Sequence, residues 1–125
     1  MGVEAKVYAA LSGFSSLTNL VGDKIYPEHR HQSTGTPTVV YYRAPGGERV
    51  TSLKGYSQLE NAIIEISVYT SAVDDRRAIA DQVISAMSKA TAFGSVLPDP
   101  PYDDYDDETQ TYERTLMFSV WNQTT

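Results

Sequence analysis

Leu59-Glu60-Asn61-Ala62-Ile63-Ile64-Glu65-Ile66-Ser67-Val68-Tyr69 decides how the rest of this chain is read. Ala62, Ile64, Ile66 and Val68 recur with period two, so they share one face of an extended strand. Asn61, Ile63, Glu65 and Ser67 take the other face, which is polar apart from one isoleucine. A strand with one clean apolar face needs a covering layer. The adjoining segment supplies it: Ala72–Phe93 has Ile79, Val83, Ala86, Met87 and Ala90 along one stripe at helical spacing. Ser71-Ala72-Val73-Asp74 reads as a capping box with Asp in place of Glu. Asp74 and Asp75 near the helix start and Lys89 near its end suit the macrodipole. Phe93-Gly94 reads as the stop, with Gly94 free to take positive φ.

Downstream, a second long strand is expected over Thr111–Asn122. Tyr112, Leu116, Phe118 and Val120 share one face; Thr115, Met117, Ser119 and Trp121 share the other. Upstream, Val3, Val7, Ala10 and Leu11 predict a first helix over about Val3–Leu11. Phe14, Leu17, Leu20 and Val21 predict a further helical turn that ends at Gly22. Lys24–Tyr26 is extended before Pro27. Glu28–Pro37 is a polar loop, long enough to suggest a role of its own. Thr38–Arg43 is a strand, Ala44–Glu48 a turn, and Arg49–Leu53 a hairpin arm that pairs back. The pattern predicts one α+β domain over residues 1–125: an antiparallel-dominated sheet with two main helices packed on one face. Ile63, Met117 and Trp121 on the second sheet face fit either partial burial against another subunit or scattered surface apolars.

Composition narrows the chemistry. The 125 residues suit one core that buries roughly two thirds of the unfolded surface. The absence of cysteine removes disulfides, zinc–thiolate sites and cysteine nucleophiles, and suits synthesis in a reducing cytoplasm. No apolar run reaches membrane-spanning length, and Met1–Lys6 lacks the pattern of a signal peptide. Net charge is −6, with ten Lys and Arg against sixteen acids. Sequence-reading of DNA depends on neutralising phosphates, so this balance argues against it.

Candidate sites are few. His29 and His31, with Glu28 beside them, could share a metal ion, but no third ligand stands at a telling spacing, and the alternative is a solvated loop. Asp99–Glu108 holds six acids, two prolines and two tyrosines. Its prolines and missing central glycine break the calcium-loop pattern. The segment is expected to be flexible and irregular. It would meet a basic partner, line a DNA path, or guard a sheet edge. Tyr102 and Tyr105 within it favour a contact role. No Gly-x-Ser-x-Gly elbow and no phosphate loop is present. No cofactor, metal or catalytic set is expected.

The order of these pieces resembles a known family. Leu17-Thr18-Asn19-Leu20-Val21-Gly22-Asp23-Lys24-Ile25-Tyr26-Pro27, then Pro37-Thr38-Val39-Val40-Tyr41, then Ile64–Tyr69, Ala78–Val83 and Tyr112–Val120 are similar to the tail-completion, or tail-terminator, proteins of long-tailed phages. The acidic Asp99–Glu108 segment has no counterpart in that likeness. The resemblance implies a structural virion protein, made in the host cytoplasm. It implies a homo-oligomeric ring, usually hexameric, on the head-proximal end of the tail tube. Such a ring stops tube growth and joins the tail to the head-side connector. Its inner wall is sheet, its outer wall helices, and genome DNA passes through without sequence-specific binding. It implies no catalytic residues. Expected contacts to neighbouring subunits or partners are Glu28, His29, Arg30, His31, Arg49, Tyr102, Asp103, Asp104, Tyr105, Asp106, Asp107 and Trp121. The alternatives are a neck or head-completion adaptor, a tail-tube-like subunit of the same virion and, more distantly, a small metal-dependent enzyme using His29 and His31.

Overall fold

The structure, a computed structural model, describes residues 2–28, 35–47, 49–52 and 55–123. His29, Arg30 and His31 lie outside the described residues, as do Gln32, Ser33 and Thr34 of the polar loop that follows them. Three helices are described: α1 (Val3–Ser12), α2 (Ser15–Val21) and α3 (Val73–Lys89). The strands are β1 (Ile25–Pro27), β2 (Thr38–Ala44), β3 (Arg49–Ser52), β4 (Gly55–Thr70), β5 (Gly94–Val96), β6 (Tyr102–Asp106) and β7 (Thr111–Gln123).

The centre of the sheet is β4 against β7, antiparallel from Leu59↔Gln123 to Thr70↔Tyr112. Along the far edge of β4 run β2 and then β3; along the far edge of β7 run β5 and β6. Every pairing is antiparallel except β1 beside β2. The sheet is open, and the fold class is the α+β expected. Gly55 and Tyr56 of β4 pair with β3 but lie beyond the β7 register, which starts at Leu59, so the β3–β4 hairpin extends past the central pair.

All three helices cover one face. α3 lies over β4 and β7; α1 lies over β1 and β2 and against α3; α2 packs on both α1 and α3. The period-two faces read from sequence hold. Ala62, Ile64, Ile66, Val68, Leu116 and Val120 are fully buried, and Phe118 nearly so. They meet Ile79, Val83, Ala86 and Met87 of α3 and Val3, Val7 and Leu11 of α1 in a single core. Buried Asn122 is satisfied where the layers meet: it accepts from Lys6 Nζ at 2.6 Å and donates to Glu60 at 3.3 Å.

The turn between β2 and β3 crosses close over β4. A Cβ on Gly47 would stand 2.3 Å from the Asn61 carbonyl oxygen, and its φ is +93°, so only glycine fits there. Gly22 closes α2 at φ 64°, as the sequence suggested.

Three expectations at element ends are corrected. α3 stops at Lys89, not Phe93: Ala90 is already extended. Phe93 is buried, and Gly94 begins β5, which pairs with Trp121. The chain must leave the helix early to feed that edge strand. Ser95 then donates to the Met87 carbonyl at 3.0 Å, satisfying an orphan carbonyl of the last turn. Gly94 is not among the glycines of positive φ. Nor does Ser71 cap α3. The N-cap is Ala72, with no side-chain cap; β4 runs on to Thr70, whose hydroxyl donates to the Ala72 carbonyl at 2.8 Å. Ser71–Ala72 is therefore the connection, and the helix begins after it.

The third correction concerns the acidic segment. It is not an irregular loop. Tyr102–Asp106 forms β6, paired from Tyr102↔Thr115 to Asp106↔Thr111, and residues 107–110 turn tightly into β7.

Candidate assembly surface

Five consecutive exposed residues, three of them acids, make a poor strand by composition. β6 forms because the core side of β7 and α3 holds it. The register places Asp103 opposite Arg114, on the helix-covered face. Arg114 donates Nε to Asp103 Oδ1 at 2.7 Å and Nη2 to Oδ2 at 2.9 Å, a two-pronged charge-assisted pair. Arg76, from the first turns of α3, reaches the same carboxylate at 3.4 Å. Its guanidinium lies 5.4 Å from the Tyr112 ring centroid, and Tyr112 packs on Tyr105 with centroids 4.7 Å apart. Asp103 is thus gripped by two arginines that are themselves mostly buried. The hydrogen bond from Arg114 holds its carboxyl below the usual range, against the opposing effect of burial, with the charges of both arginines assisting. Arg114 is correspondingly raised by Asp103.

The other face of the sheet carries none of the described helices. Its positions are Thr38, Val40, Tyr42 and Ala44 on β2, Asn61 to Tyr69 in alternation on β4, Thr111 to Trp121 in alternation on β7, and Tyr102, Asp104 and Asp106 on β6. It is half-buried by its own polar pairs. Asn61 donates to Ser119 Oγ at 2.7 Å and to the Val120 carbonyl at 3.2 Å. Ser67 and Thr115 share a hydrogen bond of 3.4 Å. Tyr42 donates to Glu65, which pushes its phenol up to about 12 with help from burial. Among the side chains described here, the charged residues are Glu65, Glu113, Asp104 and Asp106, with neither Lys nor Arg.

The expected contact residues are dispersed. Tyr102 to Asp107 lie together at the β6 edge, with Tyr102 the most exposed large apolar side chain described, at 68%. Asp106 accepts from the Glu108 amide at 3.0 Å and shapes the turn that holds Asp107. Trp121 is half-buried on the uncovered face, opposite Asn61. Glu28 stands at the far edge with φ 68°, its amide donating to the Tyr41 carbonyl at 2.8 Å. It lines a cleft of about 510 Å3 with Glu4, Pro27, Tyr41 and Arg43. Arg49 opens β3 across from Glu60. The structure therefore groups the acidic residues and separates them from Glu28, Arg49 and Trp121. Arg76, Arg114 and Tyr112 were missed by the sequence reading. Counting outward from a four-residue turn at Asp107–Gln110 pairs Asp103 with Arg114, but Gln110 takes φ 53° where Gly or Asn usually marks such a turn.

The family model described as "Tail completion protein gp17" matches residues 5–123. The chain belongs to this tail completion family. It is therefore a structural protein of the phage tail, and the coarse expectation from sequence holds. The fold is also that of a chain in the solved structure "Virion of native gene transfer agent (GTA) particle": TM-score 0.73, 18% identity, with 95% of this chain and 92% of that chain covered. No curated protein matches the sequence. No helix among the described residues is long and apolar enough to cross a membrane.

Proposed function

We propose that this tail completion protein forms a closed homo-oligomeric ring, hexameric as in the family resemblance. The ring sits on the head-proximal end of the tail tube, ends tube growth and presents a surface to the head-side connector. The uncovered sheet face turns inward and the helices outward. The observation that carries this reading is the charge of the uncovered face: Glu65, Glu113, Asp104 and Asp106 without a described cation. Among the described side chains of that face, passing DNA finds no lysine or arginine to neutralise its phosphates, so it slides without sequence-specific binding. A ring needs one heterologous contact repeated until it closes. The role is assembly rather than catalysis, with the tube protein, the connector protein and further copies of the chain as partners.

The test is to add purified chain to its tube protein during polymerisation. Tubes should stop short, each with one end blocked against further growth. Unchanged tube lengths with tight binding to the connector alone would favour the neck-adaptor alternative. Long tubes made of this chain would favour the tube-subunit alternative. Alanine at both His29 and His31 should leave capping intact; its loss together with a bound metal would revive the metal reading.

A further inference from the structure

Strand β2 outruns β1. Their register ends at Pro27↔Tyr41, while β2 continues to Ala44. The Val39 amide donates to the Lys24 carbonyl, and the Tyr41 carbonyl accepts from the Glu28 amide. Both residues thus turn backbone groups toward β1. By the period of two, so does Arg43, but no described strand stands beside it on that side. This free stretch of edge borders the cleft of about 510 Å3 lined by Glu4, Glu28, Tyr41 and Arg43.

The cleft is rich in acceptors and short of donors. Glu4 and Glu28 are exposed and make no ion pair among the described residues. Arg43, the one cation of the described lining, already pairs with Glu60 at 3.6 Å. Tyr41 is a separate sign of a missing ligand. It is only 6% exposed, yet its hydroxyl makes no hydrogen bond among the described residues, where a buried tyrosine usually finds a partner. Burial, then Tyr8 and Glu4, push its phenol up. Glu4, which acts on that phenol, also forms a wall of the cleft. Two carboxylates and a phenol oxygen around one cleft suit a guanidinium. It carries five N–H donors in a plane, keeps its charge, and is less strongly hydrated than an ammonium.

We propose that this cleft receives an arginine side chain of a separate tail protein, carried on an extended segment that pairs with the free edge of β2 at Arg43. Among the described side chains of this chain, Arg43, Arg76 and Arg114 already hold carboxylates of their own copy. Arg77 is exposed, but on helix α3 rather than an extended segment. The inference does not depend on the ring reading.

The probe is a blocked peptide, Thr-Val-Arg-Val-Thr, with the same peptide carrying citrulline as its neutral isostere. Each is titrated into the full chain and followed by amide NMR shifts. The arginine peptide should give saturable shifts at the Glu28 and Arg43 amides. The citrulline peptide should bind about ten-fold more weakly, because bonds to the carboxylates lose their charge assistance. Glu4→Gln with Glu28→Gln, at exposed positions that leave the core intact, should erase that preference. Tyr41→Phe, which keeps the ring, should weaken the arginine peptide about three-fold. Equal binding of the two peptides to the parent, a preference that survives the Gln changes, or shifts centred on β6 would overturn the proposal. Self-association of the parent, read by sedimentation, should be the same in the Gln variant. Its loss there would put the arginine on a second copy and overturn the assignment to a separate protein.

Discussion

Replacing Asp103 by Asn should loosen one strand and leave the rest of the molecule in place. The carboxylate accepts two short bonds from Arg114 and faces Arg76 at 3.4 Å. Hydrogen bonds to charged groups contribute about 1.5–3 kcal/mol when shielded, whereas exposed pairs contribute about 0.2–1 kcal/mol. The Asp103 side chain is 38% exposed, while those of Arg76 and Arg114 are 14% and 19% exposed. Solvent screening at the carboxylate therefore brings the expected loss down to about 1 kcal/mol, or about five-fold in an opening equilibrium. Because β6 touches the sheet through β7 alone, the loss should appear as local opening. Hydrogen exchange of the β6 amides bonded to β7 should speed up about five-fold, with the central β4 amides unchanged. The pH dependence has a definite sign. The folded carboxyl is depressed, so its stabilisation is complete above the ordinary Asp value of about 3.9 and is lost as pH falls through the lower folded value. β6 of the parent should open on acidification below about pH 4, and Asp103→Asn should flatten that response. Unchanged β6 exchange in the variant, or an equal change across β4, would refute the idea that this grip makes the acidic segment a strand.

Two other outcomes follow from the packing. Ile66→Ala empties a fully buried site between β4 and the helices and should cost about 2–5 kcal/mol in denaturant unfolding; a loss under about 1 kcal/mol would mean the site collapses or the register is wrong. Tyr42 is raised to about 12 chiefly by its bond to Glu65. Its contribution should be complete below the ordinary tyrosine value of about 10 and fade as pH rises through the folded one. The stability gap between the parent and Tyr42→Phe should accordingly close between those values, and a gap that widens there would contradict the assignment.

The sheet and its core were legible because burial imposes a period. Ile64, Ile66, Leu116 and Phe118 alternate with polar residues, and a one-residue slip would expose all four. Helix α1 and the α2 cap at Gly22 were legible for similar local reasons. Element ends were less so. Ala90 to Phe93 are compatible with helix, and only the need to bury Phe93 and pair β5 ends α3 at Lys89. The acidic strand was hidden twice: Asp disfavours strands, and the turn before β7 lacks a glycine. Its stability lies in Arg114, which meets Asp103 only once the hairpin register is known, and in Arg76, which is remote in sequence and brought there by the fold. The uncovered sheet face was legible as mixed, but Asn61–Ser119 and Tyr42–Glu65 show much of its polarity to be satisfied within the chain.

The central claim is the position and shape of the assembly, and electron cryo-microscopy of the tailed particle that carries this chain tests it most directly. The account predicts one closed ring of the chain at a single axial level, between the last ring of the tail tube and the head-side connector, with Glu65 and Glu113 facing the lumen. Copies repeated along the tube, a position within the connector itself, or a ring whose helices line the lumen would contradict it.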